Sequence, residues 1–282
     1  MAQTPSHAKA QEALLAGNLA QAATLAESFL KTHPQDAAML VLKARVLLAQ
    51  GELPKAFEQL RQALRAAPQN IDALYYLTLT TNVLAQQEYR QLYALAPDSA
   101  PVHLLLAEAA LAQDNQAEAE AEYQLALKAD SRAAEAVLGL AELKRSQSKF
   151  DEALTLYQQA ESLVGLNHDI AYGLGACHSF QQDYERAVNY LRQAVAFVPD
   201  AAATQFALGN ALFQSGKLED AIAPLQRAVA LNPKIKQAYF LLGRAYQRTG
   251  QAALAKAAFK RVDELSKEEL LKEQGITKPN KP

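Results

Sequence analysis

Proline and alanine recur along this chain at a fixed interval of 34 residues. Pro34 and Pro68 stand one interval apart, as do Pro199 and Pro233, while Pro97 and Pro199 are separated by three intervals. Ala22, Ala56, Ala119, Ala153, Ala187, Ala221 and Ala255 keep the same spacing. One step is short: Pro68 to Pro97 is 29 residues and Ala56 to Ala119 is 63, each five less than the period requires. A single deletion near residues 84–88 accounts for both. A period of this length means that each interval is one supersecondary unit, too small to bury its own apolar face and stacked on the next.

Inside an interval the apolar residues follow a helical spacing of three and four. Leu208, Ala211 and Leu212 form one stripe, and Ala221, Leu225 and Ala228 form a second. Ser215-Gly216-Lys217 separates them, and Asn232-Pro233 closes the interval. Two helices of about 12–14 residues fill such an interval at a rise of about 1.5 Å per residue. Ala, Leu and Gln dominate the composition and Trp is absent, a mixture that enters helices at little cost and disfavours an extended sheet. Antiparallel helices approach to about 8 Å only where a small side chain faces the partner. Gly209, Ala221 and Ala228 are therefore expected at the seam, where a larger residue would cost roughly 1–3 kcal/mol as overpacking.

These positions resemble the tetratricopeptide repeat, whose pattern runs aromatic, Leu-Gly, Tyr, then Ala, an aromatic and Pro. Tyr239, Leu242-Gly243, Tyr246, Gly250, Ala255 and Phe259 make the fullest copy. Leu208-Gly209, Gly216, Ala221, Leu225, Ala228 and Pro233 make the next. Leu174-Gly175, Tyr184, Ala187, Leu191, Ala194 and Pro199 follow the same order. Weaker copies begin at residues 3, 37, 71, 100 and 134, giving about eight units. The resemblance implies an all-α, right-handed superhelical solenoid of antiparallel helix pairs.

The departures from the pattern set expected boundaries. Leu40, Leu74, His103, Val137, Ala171 and Gln205 stand where an aromatic would open the unit. In the first unit Ala26 and Phe29 exchange large and small relative to Leu225 and Ala228, so that end hairpin should pack differently. The third unit, 71–99, has lost its Gly-containing turn and should keep a shortened second helix, with a bend near residues 84–90. Units one to three (3–99) and four to eight (100–266) then form two sub-arrays. Ser266 with Glu269 reads as a capping box opening a separate C-terminal capping helix over 267–275, stopped by Gly275, with a disordered tail over 276–282. Pro101 suits a first helical turn. Pro224 falls inside a helix and removes one backbone hydrogen bond.

A search for chemistry returns structural readings. Cys177 is the only cysteine, so neither an intrachain disulfide nor a cysteine-based metal cluster is available. The five histidines show no spacing suited to a metal site. His178 shares a column with Leu212 and Tyr246 and reads as packed. Gly173 and Gly175 fall in mid-helix with no preceding strand, unlike a phosphate loop. No catalytic, cofactor-binding or metal-binding residue is assigned, and no enzyme activity is expected. The formal net charge of −2 argues against nucleic acid. Residues 98–169 carry 5 basic and 13 acidic side chains and residues 234–282 carry 11 and 5. That polarity allows weak head-to-tail pairing of copies. No stretch reaches the roughly 18 apolar residues of a membrane span, so no membrane insertion is expected. The N-terminus lacks a signal-peptide pattern, which reads as cytoplasmic, or periplasmic where a leader has been removed.

What remains is the face that the first helices of such an array turn to its concave side. In register, that face carries Val41, Arg45, Tyr75, Tyr76, Asn82, Leu104, Glu108, Leu138, Glu142, Arg145, Tyr172, Ala176, Phe180, Phe206, Asn210, Phe213, Phe240, Arg244 and Arg248. Tyr and Arg are enriched at interface hot spots, and a row of rings is unusual on a merely solvated face. The proposed partner-binding groove comprises Arg45, Tyr75, Tyr76, Asn82, Arg145, Tyr172, Phe206, Asn210, Phe213, Phe240, Arg244 and Arg248. Phe206 stands where the lysine of a chaperone-tail clamp would accompany Asn210, so that narrower role is not expected. The reading is a non-enzymatic scaffold that binds a protein or peptide segment. The competing expectation is a structural or accessory subunit of a bacterial secretion, pilus or envelope-assembly complex, working through its convex face and charged ends.

Overall fold

The computed structural model describes residues 5–273. Among them every regular element is an α-helix, and the chain divides at Pro97–Asp98 into two compact blocks. The N-terminal block contains α1 (Pro5–Leu15), α2 (Leu19–Thr32), α3 (Ala37–Ala49), α4 (Leu53–Ala66) and α5 (Ile71–Leu95). The C-terminal block contains α6 (Ala100–Ala112), α7 (Gln116–Ala129), α8 (Ala134–Ser146), α9 (Phe150–Val164) and α10 (His168–Phe180). It continues with α11 (Tyr184–Phe197), α12 (Ala202–Gln214), α13 (Leu218–Leu231), α14 (Lys236–Arg248) and α15 (Ala252–Glu273). All except α5 pair with a sequence neighbour as helical hairpins, stacked in tandem within each block.

One turn geometry makes every hairpin. The second residue after the first helix is left-handed: Gly17, Gly51, Gly216 and Gly250 have φ of 75–81°, and Asp114, Ser148 and Gln182 have φ of 58–62°. The next backbone N–H then reaches back five residues to a helix carbonyl, as in Asn18 to Ala13, Lys149 to Lys144 and Lys217 to Leu212, at 2.9 Å each. This Schellman bond satisfies a carbonyl that the helix end leaves open. Asn18, Asn115 and Asp183 then cap the following helix by accepting from a backbone N–H three residues on. Chain reversal and re-entry into helix are thus written in four residues.

In the C-terminal block the seam between helices depends on missing Cβ atoms. A Cβ on Gly209 would lie 2.5 Å from Leu225 Cγ, and one on Gly175 would lie 2.6 Å from Leu191 Cγ. Gly243 stands in the same relation to the Phe259 ring, at 2.6 Å. Ala221 and Ala228 on α13 are fully buried, as are their counterparts Ala187 and Ala194 on α11. In the two preceding repeats the large residue is Tyr123 or Tyr157, and the glycine moves to the next first helix. A Cβ on Gly139 would meet the Tyr123 ring at 2.5 Å, and one on Gly173 the Tyr157 ring at 2.2 Å. Leucine leans towards its own partner helix, whereas tyrosine reaches across to the following one.

Two sequence expectations need correction. The third unit holds no helix pair: α5 runs unbroken through residues 84–90 for 25 residues in all. Ala85 stands in the turn column where Gly51 and Gly216 turn left-handed, and with Gln, Gln and Glu after it the segment propagates a helix readily. The block boundary falls after α5, at Pro97–Asp98. At the other end no separate capping helix begins at residue 267, because α15 continues through Ser266 to Glu273. With Leu265 buried just before it and no turn residue ahead, Ser266 sits inside a helix and caps nothing. The expected stop at Gly275 and the tail over 276–282 lie outside the described residues. Pro101 does occupy the first turn of α6, and α13 continues through Pro224. In the first repeat Ala26 is fully buried while Phe29 stacks on the His33 ring at 4.5 Å and meets His7 edge-on at 4.9 Å.

Gly209→Ala is expected to lower the unfolding free energy by about 1–3 kcal/mol, because the new Cβ must displace Leu225 from a filled core. Chemical denaturation followed by circular dichroism measures this. An unchanged midpoint would mean that the seam has slack the geometry does not show.

Candidate functional site

In the C-terminal block the first helices α6, α8, α10, α12 and α14 each touch the next first helix. The second helices α7, α9, α11, α13 and α15 touch only first helices. Closer spacing on one side than on the other bends the stack, with the first helices on its inner face. The groove residues predicted from register fall into two sets, one in each block.

In the N-terminal block, the Arg45 guanidinium lies 5.3 Å from the Tyr76 ring, and Tyr75 meets Tyr76 edge-on at 5.1 Å. Tyr75 and Asn82 are both exposed on α5. The remaining eight residues belong to the C-terminal block, where they form a small network, a core member and an exposed end. Arg145 stacks over Tyr172 at 5.8 Å. Phe206 is half-buried against the core, and Asn210 accepts a 3.3 Å hydrogen bond from Gln214. Phe213 is only 5% exposed and belongs to the same buried cluster as Leu212, Leu218, Leu241 and Ala245. It is a core residue, contrary to its place in the proposed groove. Register placed it on the inner face, but at the end of α12 the neighbouring α14 covers that face. Phe240, by contrast, is 45% exposed. Arg244 lies 5.6 Å from the Phe213 ring and 6.0 Å from Phe240, and Arg248 lies 5.9 Å from Phe213. Both arginines are exposed, and neither has an acidic partner among the described residues.

Arg145 is not a free cation. Its Nη2 and Nε donate to Glu142 Oε2 at 2.5 and 3.1 Å, and Nε also faces the Tyr157 hydroxyl at 3.3 Å. The Tyr157 hydroxyl donates in turn to Glu142 Oε1. Burial opposes the charge on Arg145, but Glu142 and Tyr157 more than offset it and hold its pKa up. Burial, reinforced by Glu142, pushes the Tyr157 phenol upward as well. This triad ties α8 to α9 and leaves little charge to present to a ligand.

Sequence reasoning passed over one pocket of the inner face. Between α6 and α8 lies a pocket of about 620 Å³ whose lining includes Leu104, Glu108, Tyr123, Glu135, Leu138, Gly139 and Glu142. Leu104, Glu108, Leu138 and Glu142 were legible as inner-face positions, but Tyr123 reads from register as plain core. The available signal was Gly139: a glycine one residue before Leu140-Ala141 lets the Tyr123 ring cross to α8.

The histidines have structural partners. His103 Nδ1 lies 2.7 Å from Glu122, His7 Nε2 lies 2.9 Å from Asp36, and His168 Nε2 lies 3.0 Å from the Thr204 hydroxyl. His178 is buried and stacks on Tyr190 at 5.7 Å, and burial lowers its pKa. Burial pushes the neighbouring Cys177 thiol up to about 11, which keeps it unreactive. Among the described residues no group of three or more His, Cys, Asp or Glu is placed to hold a metal ion. No described helix is long and apolar enough to cross a membrane.

Family models agree with the repeat geometry along most of the chain. Models described as tetratricopeptide repeat match residues 7–71 and 84–134, 132–200 and 236–269, and one described as TPR repeat matches 209–250. The chain is a tetratricopeptide repeat protein. None of the curated proteins compared with this repeat protein is similar enough to count as a sequence relative. Solved structures share its fold. YrrB, described as a TPR protein with an unusual peptide-binding site, superposes with a TM-score of 0.56 at 20% identity, over 66% of this chain and 96% of its own. MamA superposes at 0.54 with 21% identity, over 58% and 96%. A MamA fragment from Desulfovibrio magneticus RS-1 gives 0.56 with 22% identity, over 60% and 96%. At these identities the likeness is one of architecture.

Phe213→Ala and Phe240→Ala should separate core from surface. Phe213→Ala is expected to cost about 3–5 kcal/mol of stability, and Phe240→Ala less than about 1 kcal/mol. Denaturant midpoints of the two variants check this; equal losses would contradict the placement of both rings.

Proposed function

We propose that this repeat protein is a non-enzymatic scaffold whose inner face, formed by α6, α8, α10, α12 and α14, holds an extended or helical segment of a partner protein. Tetratricopeptide repeats are protein–protein interaction modules, and the proposal concerns where on this one the partner lies. The observation that carries it is the end of that face at α14. There a half-exposed Phe240 lies 6.0 Å from Arg244, and Arg248 one turn on lies over Phe213; both guanidiniums are exposed and without acidic partners among the described residues. An aromatic ring with adjacent arginines provides a rigid apolar contact and charge-assisted donors for a carboxylate, the combination enriched at binding hot spots. Neither arginine holds the fold together through an ion pair, so their charge is free to act on a ligand.

Co-purification from the native cell, quantified by mass spectrometry, tests this reading. Replacing Phe240, Arg244 and Arg248 together with Ala should reduce partner recovery by about tenfold or more, as loss of a hot-spot cluster does. The circular dichroism spectrum should be unchanged. Equal recovery from a folded triple variant would remove the inner face as the binding surface.

A further inference from the structure

The repeat allows one site in this chain to be compared with another. At Tyr157 the phenol donates to Glu142 and lies 3.3 Å from Arg145 Nε, so ring, carboxylate and cation close on one another. One period of 34 residues earlier, the same positions are Tyr123, Glu108 and Leu111. Tyrosine and carboxylate are kept, while the cation is replaced by a leucine that is 39% exposed. Tyr123 is only 5% exposed, yet no described residue hydrogen-bonds its hydroxyl. That hydroxyl ends against Gly139, where a Cβ would lie 2.7 Å away, in the wall of the pocket between α6 and α8. Glu108 and Glu135, also in that wall, have no ion-pair partner among the described residues.

We propose that this pocket binds a lysine or arginine side chain of the docked segment, its cation standing to Tyr123 and Glu108 as Arg145 stands to Tyr157 and Glu142. The proposal rests on the inner-face reading above and adds the chemistry of one ligand residue. Leu104 and Leu138 supply an apolar wall for the alkyl stem, which long cationic side chains bury while their heads reach polar partners. The head meets two carboxylates and a phenol oxygen able to accept. An acidic ligand residue is repelled at the same place.

Panning a random peptide library against the full chain, then measuring recovered peptides as fluorescein-labelled synthetic probes by anisotropy, tests the proposal. Lys or Arg should recur at one position, and changing it to Gln should weaken binding about tenfold. Glu108→Gln should weaken binding by a similar factor and remove most of the preference for the basic residue. Leu111→Arg should compete as well, because it supplies the cation from within the chain. Both substitutions lie on exposed helix positions, and circular dichroism checks that the variants fold. Peptides that bind in a Phe240-dependent way but carry no basic residue, or that ignore Glu108→Gln and Leu111→Arg, would overturn this proposal and leave the inner-face reading standing. Recovery of no binding peptide at all would overturn both.

Discussion

The C-terminal block depends on one contact: a large side chain of a second helix pressed against a first-helix glycine. With no Cβ at Gly175 or Gly209, Leu191 and Leu225 fill the gap between paired helices and are wholly buried there. Such a contact is short-ranged and unforgiving, since interiors are packed at crystal-like density. It sets the spacing inside a hairpin, and repetition carries that spacing along the block. Turns and caps choose where the chain reverses, but the seam decides how closely the two arms lie.

The same contact builds the site. Where the column holds tyrosine, the seam glycine shifts from the tyrosine's own partner helix to the following first helix. The ring then crosses between repeats, and its hydroxyl arrives at the inner face. At Tyr157 that hydroxyl is consumed by Glu142 and Arg145, an internal network that stiffens α8 against α9. At Tyr123 the same delivery occurs without the internal cation, and the result is a pocket with free carboxylates. A packing choice in one repeat becomes a binding feature in its neighbour. Further along, Phe240 with Arg244 and Arg248 gives the inner face an end of opposite charge.

Period, helix pairs, turn glycines and seam alanines were legible because each is a local rule repeated many times. Repetition averages away the ambiguity of any single copy. What failed were the places where the rule is broken once. The five-residue deletion announced itself by arithmetic, but whether a lost turn yields a short helix or a continuous one depends on what remains. Ala85, Gln86, Gln87 and Glu88 contain no stop. Ser266 and Glu269 matched a capping box in letters, yet a cap needs a preceding break, and Leu265 is buried in an uninterrupted helix. Phe213 was misplaced because a helical wheel knows one helix only. Its cover comes from α14, roughly one period away in sequence. Tyr123 was hidden by its column: register equates it with Leu225, and only the displaced glycine at 139 distinguishes a ring that crosses from a side chain that stays.

The most direct test of the seam is to move its rule into a repeat that lacks it. Leu191 belongs to the column of Tyr123 and Tyr157, and Ala207 occupies the position of Gly139 and Gly173. Denaturant unfolding of Leu191→Tyr, Ala207→Gly and the double variant measures their coupling. In the wild type Ala207→Gly should destabilise by about 1 kcal/mol, the ordinary cost of a helical glycine. In the Leu191→Tyr background the same change should stabilise, because it opens the space that the ring requires. A glycine that destabilises equally in both backgrounds would contradict the account.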